Sequence, residues 1–167
     1  MNMRIGFGID THRLTQDKKL MIGGIHIPYH LGSDGHSDAD VLIHALCDAL
    51  LGAAALKDIG TQFPDTDIQY KNIDSKILLK KTMELIREKG WKIINTDTTI
   101  ILQQPKIAPY IDAMQTILSK ALDIEKEKIS IKAKTSEKLG FIGREEGVTA
   151  YAVVLLQKSD NLEFQTV

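Results

Sequence analysis

A chain of 167 residues, 43% hydrophobic and 26% charged, is long enough to bury one sizeable core and has the make-up of an ordinary globular domain. Its net charge of −1, with Lys and Arg scattered along the chain, supplies no basic field and argues against a nucleic-acid partner. No run approaches the roughly 20 apolar residues that cross a bilayer, so no membrane partner is expected, and the single Cys47 excludes an internal disulfide and a cysteine-rich zinc site.

The opening Met1-Asn2-Met3-Arg4 leads straight into an apolar run and lacks the order of an export signal. With one thiol set in Ala45-Leu46-Cys47, this makes the expectation a cytoplasmic protein with a buried cysteine. Ile5 to Asp10 reads as a short strand, and Leu20 to Tyr29 as one or two more with a bend at Gly23-Gly24. Gly32 to Ser37 reads as a loop. From Asp38 to Leu56, the apolar Val41, Leu42, Ala45, Leu46, Ala49 and Leu50 fall on helical spacing, with Ser37 as N-cap and Asp40 three residues on. A turn-rich loop follows from Asp58 to Tyr70. Asp74 caps a second helix whose inner side carries Ile77, Leu78, Met83, Leu85 and Ile86, and Gly90 ends it.

Trp91 to Gln103, rich in Thr and Ile, reads as a strand. Pro109 opens a third helix with an inner stripe of Ile111, Met114, Ile117, Leu118 and Leu122. Ile129 to Ala133 alternates as a half-buried strand does. Val148 to Leu156 is almost continuously apolar, which predicts a strand covered on both faces. The expected fold is an α/β (α+β) sandwich, one mixed β-sheet against three helices, as a single domain over residues 1–158 with a polar tail at 159–167.

Asp10 and His12 stand two apart at a strand end and so leave on one face. Asp40, His44 and Asp48, four apart, form a polar ridge on an otherwise apolar helix. Such a ridge must face something polar, since each unsatisfied buried group costs about 1–3 kcal/mol. If that strand end meets that helix, Asp10, His12 and His44 present two nitrogens and one carboxylate oxygen, the pattern of a catalytic zinc with an open position. The same ligands also suit non-haem iron, so ligand type leaves the metal open. Taken singly, Asp40 reads as a capping carboxylate and His44 as a satisfied helix histidine. His26 and His30, beside Pro28, read as surface or strand-end histidines.

A second polar cluster runs from Lys132 to Arg144 and holds Thr135, Ser136, Glu137 and two glycines. Hydroxyls, backbone N–H groups and cations there make a phosphate cradle or, more plainly, a solvated strand-to-loop transition. The spacing is not that of a Walker loop. Nor is Gly6-Phe-Gly8 a dinucleotide fingerprint, because Thr11 occupies the third glycine position.

Four blocks taken together carry a resemblance: Gly8-Ile-Asp-Thr-His12; His36-Ser-Asp-Ala-Asp-Val-Leu-Ile-His44 with the Ala-Leu-Cys-Asp that follows; Asp58-Ile-Gly-Thr-Gln-Phe-Pro-Asp65; and Thr135-Ser-Glu-Lys-Leu-Gly-Phe-Ile-Gly-Arg144. In this order, from about Arg4 to Lys158, the chain resembles the cyclodiphosphate synthase family of the non-mevalonate isoprenoid pathway. The resemblance implies a homotrimer with active sites between subunits. It also implies a small-molecule substrate, 4-diphosphocytidyl-2-C-methyl-D-erythritol 2-phosphate, whose 2-phosphate attacks the β-phosphorus so that a ring closes and CMP leaves.

By position it implies Asp10, His12 and His44 as zinc ligands, and Glu137 as ligand of a second divalent cation, Mg2+ or Mn2+. His36 and Thr135 are implied at the reacting phosphates, with Ser37 beside them. Asp58, Ile59, Gly60, Phe63, Pro64 and Asp65 are implied as the methylerythritol loop. Pro105, Lys106, Ile107, Ala133 and Lys134 are implied as a cytidine pocket from the adjacent subunit, with Ser136, Phe141 and Arg144 as further contacts. Asp40 and Asp48 would orient His44 or loop backbone. Lys134 departs from an expected small hydroxyl residue, and Asp34 brings an acid into a loop that is more often apolar. Two other readings use the same ligands: a zinc phosphoesterase with water as nucleophile, and a non-catalytic nucleotide- or metal-binding trimer.

Overall fold

The first strand, β1 (Met3–Thr15), reaches well beyond the apolar run that announced it. It pairs antiparallel with the last strand, β7 (Gly147–Lys158), from Met3↔Gln157 to Arg13↔Gly147. It then takes a second partner, β4 (Gly32–Asp34), through Arg13↔Asp34 to Thr15↔Gly32. The expected short strand and the expected loop at Gly32 are therefore both corrected: backbone pairing continues through polar residues that carry no hydrophobic signal. β2 (Leu20–Ile22) and β3 (Ile25–Ile27) are two strands that pair as a hairpin about the expected bend, with Gly23 and Gly24 at φ 62 and 79. This computed structural model describes residues 2–64 and 66–159; the tail expected at 159–167 lies outside the described residues from 160 onward.

With β5 (Trp91–Ile101) and β6 (Ile129–Lys134), the main sheet has the order β4-β1-β7-β5-β6. All its pairs are antiparallel except β5 with β6, so it is mixed, as expected. Three long helices, α1 (Val41–Ala53), α3 (Ser75–Glu88) and α4 (Ile111–Leu122), supply the helical layer. α1 packs on β1 and β7, α3 on α1, and α4 on α3 and β6. Two four-residue helices, α2 (Ile59–Gln62) and α5 (Gly140–Gly143), lie in stretches that read as loops. Among the described residues no helix is long and apolar enough to cross a membrane.

Gly6 and Gly8 explain how closely β1 and α1 approach. A Cβ on Gly6 would stand 1.8 Å from the Ala49 carbonyl oxygen, and one on Gly8 2.1 Å from that of Ala45. The Gly-x-Gly pair is thus a packing device set against the small residues Ala45, Ala49 and Ala53 of the helix. Cys47 is fully buried behind them, and burial pushes its thiol up to about 12.

The cap of α1 is Asp40, not Ser37: its side chain accepts from Ile43 N, and the left-handed Ala39 (φ 55) bars the helix from starting earlier. Asp74 does cap α3, and Gly90 (φ 68) closes it. On α3 the inner face is Ser75, Leu78, Leu79, Thr82, Met83 and Ile86, whereas Ile77 is 47% exposed and Leu85 half-buried. Pro109 sits in a 3₁₀ turn, Ala108–Tyr110, that leads into α4. Among the described residues the two-sided cover expected for β7 is not present. Val153 is 42% exposed, and beside it on β1 Ile5, Phe7 and Ile9 are 73%, 60% and 48% exposed. Helices cover only the other face.

Candidate active site

Alternation along β1 sets Gly6, Gly8, Asp10 and His12 on the face that meets α1. Where the glycines end, the gap widens enough for side chains. There Asp10 Oδ2 lies 2.9 Å from His12 Nε2 and 3.1 Å from His44 Nδ1, and the two ring nitrogens are 3.1 Å apart. The three ligand atoms predicted from the strand period and the helix period do converge.

His12 Nδ1 stands 3.1 Å from the Asp34 carbonyl oxygen, which only a donor can meet, so in the neutral ring Nε2 keeps its lone pair for the shared space. This contact uses the backbone of Asp34; its side chain turns to Lys18 at 3.4 Å, which is why an acid is accommodated there. Ligand atoms on a tetrahedral zinc with bonds of about 2.0 Å stand roughly 3.3 Å apart. The observed separations fall only a few tenths of an ångström short, so the donor set fits such an ion.

Charge in this cluster is strongly coupled. Burial alone would push the Asp10 carboxyl up, but hydrogen bonds and charge from His12 and His44 hold it well below the usual carboxylate range. Burial alone would lower His44, and the hydrogen bond and charge of Asp10 raise it instead.

Asp10, His12, His36, Ser37 and His44 line one cavity of about 200 Å3, walled on the far side by Ile59, Gly60, Phe63, Tyr70 and Leu78. His36 Nε2 is buried and has no hydrogen-bond partner among the described residues, so its hydrogen-bonding capacity is unspent beside this cavity. The flanking acids of the helix ridge serve backbone. Asp48 accepts from Ile59 N at 2.7 Å and so anchors α2 at the cavity wall. Asp40 accepts from Gly23 N and Gly24 N at 2.9 and 2.6 Å, which fixes the hairpin, and its burial raises its carboxyl. Asp58 caps α2 through Thr61 N. Pro64 is exposed beside this wall, and Asp65 lies outside the described residues.

The remaining predicted residues gather elsewhere. Pro105, Lys106, Ile107, Ala133, Lys134 and Thr135 line a second cavity of about 140 Å3. Register places Asp10 level with Ala150, Ile100 and Ala133 in turn, so the two cavities share one end of the sheet. β7 and β5 stand between, a separation of about 14 Å at the usual strand spacing. Thr135 Oγ1 donates to the Glu137 carboxylate, and Ser136 Oγ to the Leu139 carbonyl at 2.8 Å. Arg144 forms a two-pronged pair with Glu146 at 2.9 Å, and the Phe141 ring backs onto Gly147. Among the described residues of one chain, the four blocks therefore do not meet in a single cavity.

Sequence reasoning missed Ser75, Asp38, Tyr70 and Leu78. Ser75 Oγ lies 2.9 Å from His44 Nε2, and its hydroxyl donates to Asp38. Tyr70 meets Phe63 edge-on at 5.5 Å. Standing next to the cap Asp74, Ser75 looks only like a first-turn residue, and no spacing in the sequence ties it to His44.

The model of the YgbB family matches residues 3–157. The 2-C-methyl-D-erythritol 2,4-cyclodiphosphate synthase of Cytophaga hutchinsonii is 57% identical over 158 residues, covering 95% of this chain and 99% of that one. Among solved structures, the bifunctional IspDF from Campylobacter jejuni superposes with a TM-score of 0.90 at 42% identity, over 94% of this chain and 42% of the longer one. The IspF of Plasmodium falciparum, solved as a CDP complex, gives 0.84 at 35% identity over 95% and 98% of the two chains. A family match over nearly the whole length, on a fold that gathers Asp10, His12 and His44 at one cavity, makes this chain a member of the YgbB family.

Proposed function

We propose that this chain is a 2-C-methyl-D-erythritol 2,4-cyclodiphosphate synthase, which converts 4-diphosphocytidyl-2-C-methyl-D-erythritol 2-phosphate to the cyclic diphosphate and CMP. The observation that carries the reading is the meeting of Asp10, His12 and His44 in a cavity where the buried His36 Nε2 has no partner among the described residues. Curated relatives with this name are 52–58% identical over nearly the full chain. In the reaction an oxygen of the 2-phosphate bonds to the β-phosphorus, and the bond from that phosphorus to the bridging oxygen of the CMP moiety breaks. CMP departs with that oxygen.

Both groups are anionic, so the barrier is largely one of repulsion and alignment. Asp10, His12 and His44 would hold zinc, whose charge offsets that repulsion. His36 and Ser37 bind phosphate oxygens from the cavity wall, Ile59, Gly60 and Phe63 seat the methylerythritol carbons, and Asp48 keeps that wall in position. Thr135 binds at the diphosphate, and Glu137 would hold Mg2+ or Mn2+ there. Pro105 to Ile107, with Ala133 and Lys134, take the cytidine.

These two groups of residues belong to different subunits of a homotrimer. Their separation within one chain and the bare apolar face of Ile5, Phe7, Ile9 and Val153 support that assembly. A cytoplasmic setting, in keeping with one free buried thiol, completes the reading.

Incubation of the purified chain with the diphosphocytidyl substrate and Mg2+, followed by ³¹P NMR with and without a strong chelator, tests it. A cyclic diphosphate and CMP are expected, and the chelator abolishes both. A linear phosphorylated product would favour the phosphoesterase reading, and unchanged substrate would favour a binding protein.

A further inference from the structure

Whereas His12 is oriented by a backbone carbonyl, the second nitrogen of His44 faces hydroxyls: Ser75 Oγ at 2.9 Å and Ser37 Oγ at 3.0 Å. A hydroxyl both donates and accepts, so such a contact by itself leaves the imidazole tautomer free. Ser75 lacks that freedom. It is fully buried at the first turn of α3, and the Asp38 carboxylate takes both its N–H, at 3.2 Å, and its O–H. With its one proton committed to Asp38, Ser75 Oγ has only lone pairs for His44. Nε2 must therefore carry a ring hydrogen, so that in the neutral ring Nδ1, which faces Asp10 and His12, is bare, and the proton it otherwise shares with Asp10 is the one a cation displaces.

We infer that Asp38 and Ser75 are positioning residues, a carboxylate–hydroxyl relay that sets the tautomer and ring plane of His44 so that Nδ1 is presented as a metal ligand. The inference rests on the reading of Asp10, His12 and His44 as a metal site. Without the relay, neutral His44 divides its hydrogen between two nitrogens, and the form protonated on Nδ1 cannot bind a cation. Asp38 also accepts from Asp40 N at 3.3 Å, so one carboxylate ties the start of α1, which carries the ligand, to the start of α3, which orients it. Ser37 is different. Its Oγ accepts from Ala39 N at 3.1 Å and it borders the cavity, which leaves its proton for an incoming phosphate.

The test compares the full chain with Ser75→Ala, Asp38→Asn and the double variant. Zinc affinity is read by competition with a chromophoric chelator, the Co2+ form by its visible spectrum, and folding by the thermal melt of metal-free protein. Ser75→Ala is expected to lose about 10–100-fold in zinc affinity and to alter the Co2+ spectrum. Ser75→Thr, which keeps the hydroxyl, is expected to retain both. The double variant should lose no more than Ser75→Ala, because both changes act through His44.

Wild-type affinity and spectrum in the variants, or additive losses, would overturn the relay. Where Ser75→Ala fails to fold, Asp38→Asn, which keeps an oxygen for Ser75 N–H, decides by the same two readouts. A wild-type chain that binds no zinc would instead overturn the metal site, and this is seen before any variant is made.

Discussion

Asp10 and His44 oppose one another in what they ask of a proton. The carboxyl of Asp10 is held low, so it stays ionised throughout the neutral range, while His44 is raised and keeps a proton above the usual histidine range. A zinc ion entering this site must displace that proton. Affinity is therefore expected to fall on acidification, by about tenfold per pH unit once the pH is below the raised value of His44. Asp10 contributes nothing to the slope, being charged on both sides. Chelator competition from pH 6 to pH 8.5 measures this directly. A flat profile would mean that His44 is not a ligand, whatever its distance from the other two.

At the scale of elements, the contact between β1 and α1 positions the site, and two glycines bound its tolerance. A methyl on Gly8 would lie 2.1 Å from one backbone atom of α1 and 2.6 Å from another, and neither can move alone. Gly8→Ala is expected to destabilise the chain by about 3 kcal/mol or more, at the upper end for overpacking. Gly52, on the same helix, has nothing within 4 Å of its missing Cβ among the described residues, so Gly52→Ala should stabilise by about 0.5–1 kcal/mol. Urea unfolding of the two variants gives opposite shifts of midpoint. A neutral Gly8→Ala would mean that the strand and helix are less tightly joined than described.

The same contact separates what was legible in the sequence from what was not. Asp10 with His12, and His44 on its ridge, could be read because strand and helix periods are local rules. The bend at Gly23-Gly24, the cap Asp74 and the closing Gly90 were legible for the same reason. The start of α1 was misread because Ser37 and Asp40 are both good caps, and the left-handed Ala39 that decides between them carries no residue-type signal. Asp38 and Ser75 meet across 37 residues, a pairing that no window along the chain contains. β4 escaped because its partner, not its composition, makes it a strand.

For the whole molecule the open side of the sheet is the surface left for association. Ile5, Phe7, Ile9 and Val153 stand together there, with the Phe7 and Tyr151 rings stacked at 6.3 Å. A contiguous apolar face of this kind belongs against another protein surface, which in the proposed trimer is the neighbouring subunit. Phe7→Asp is expected to yield monomers in sedimentation velocity and to abolish turnover while zinc still binds, because the cytidine pocket would then be missing from each site. Trimers at wild-type concentration dependence would assign that face to another partner.

β1 thereby carries two messages in alternate letters. Its even positions answer to the helix and the candidate metal site, and its odd positions to the open face that the proposed trimer would cover. A change in one set leaves the other in place, but deleting one residue ahead of Asp10 would exchange them, turning Phe7 and its apolar neighbours inward or Asp10 and His12 out to the open face. Conservative substitutions at the odd positions should therefore be tolerated far better than any single-residue insertion or deletion in this strand.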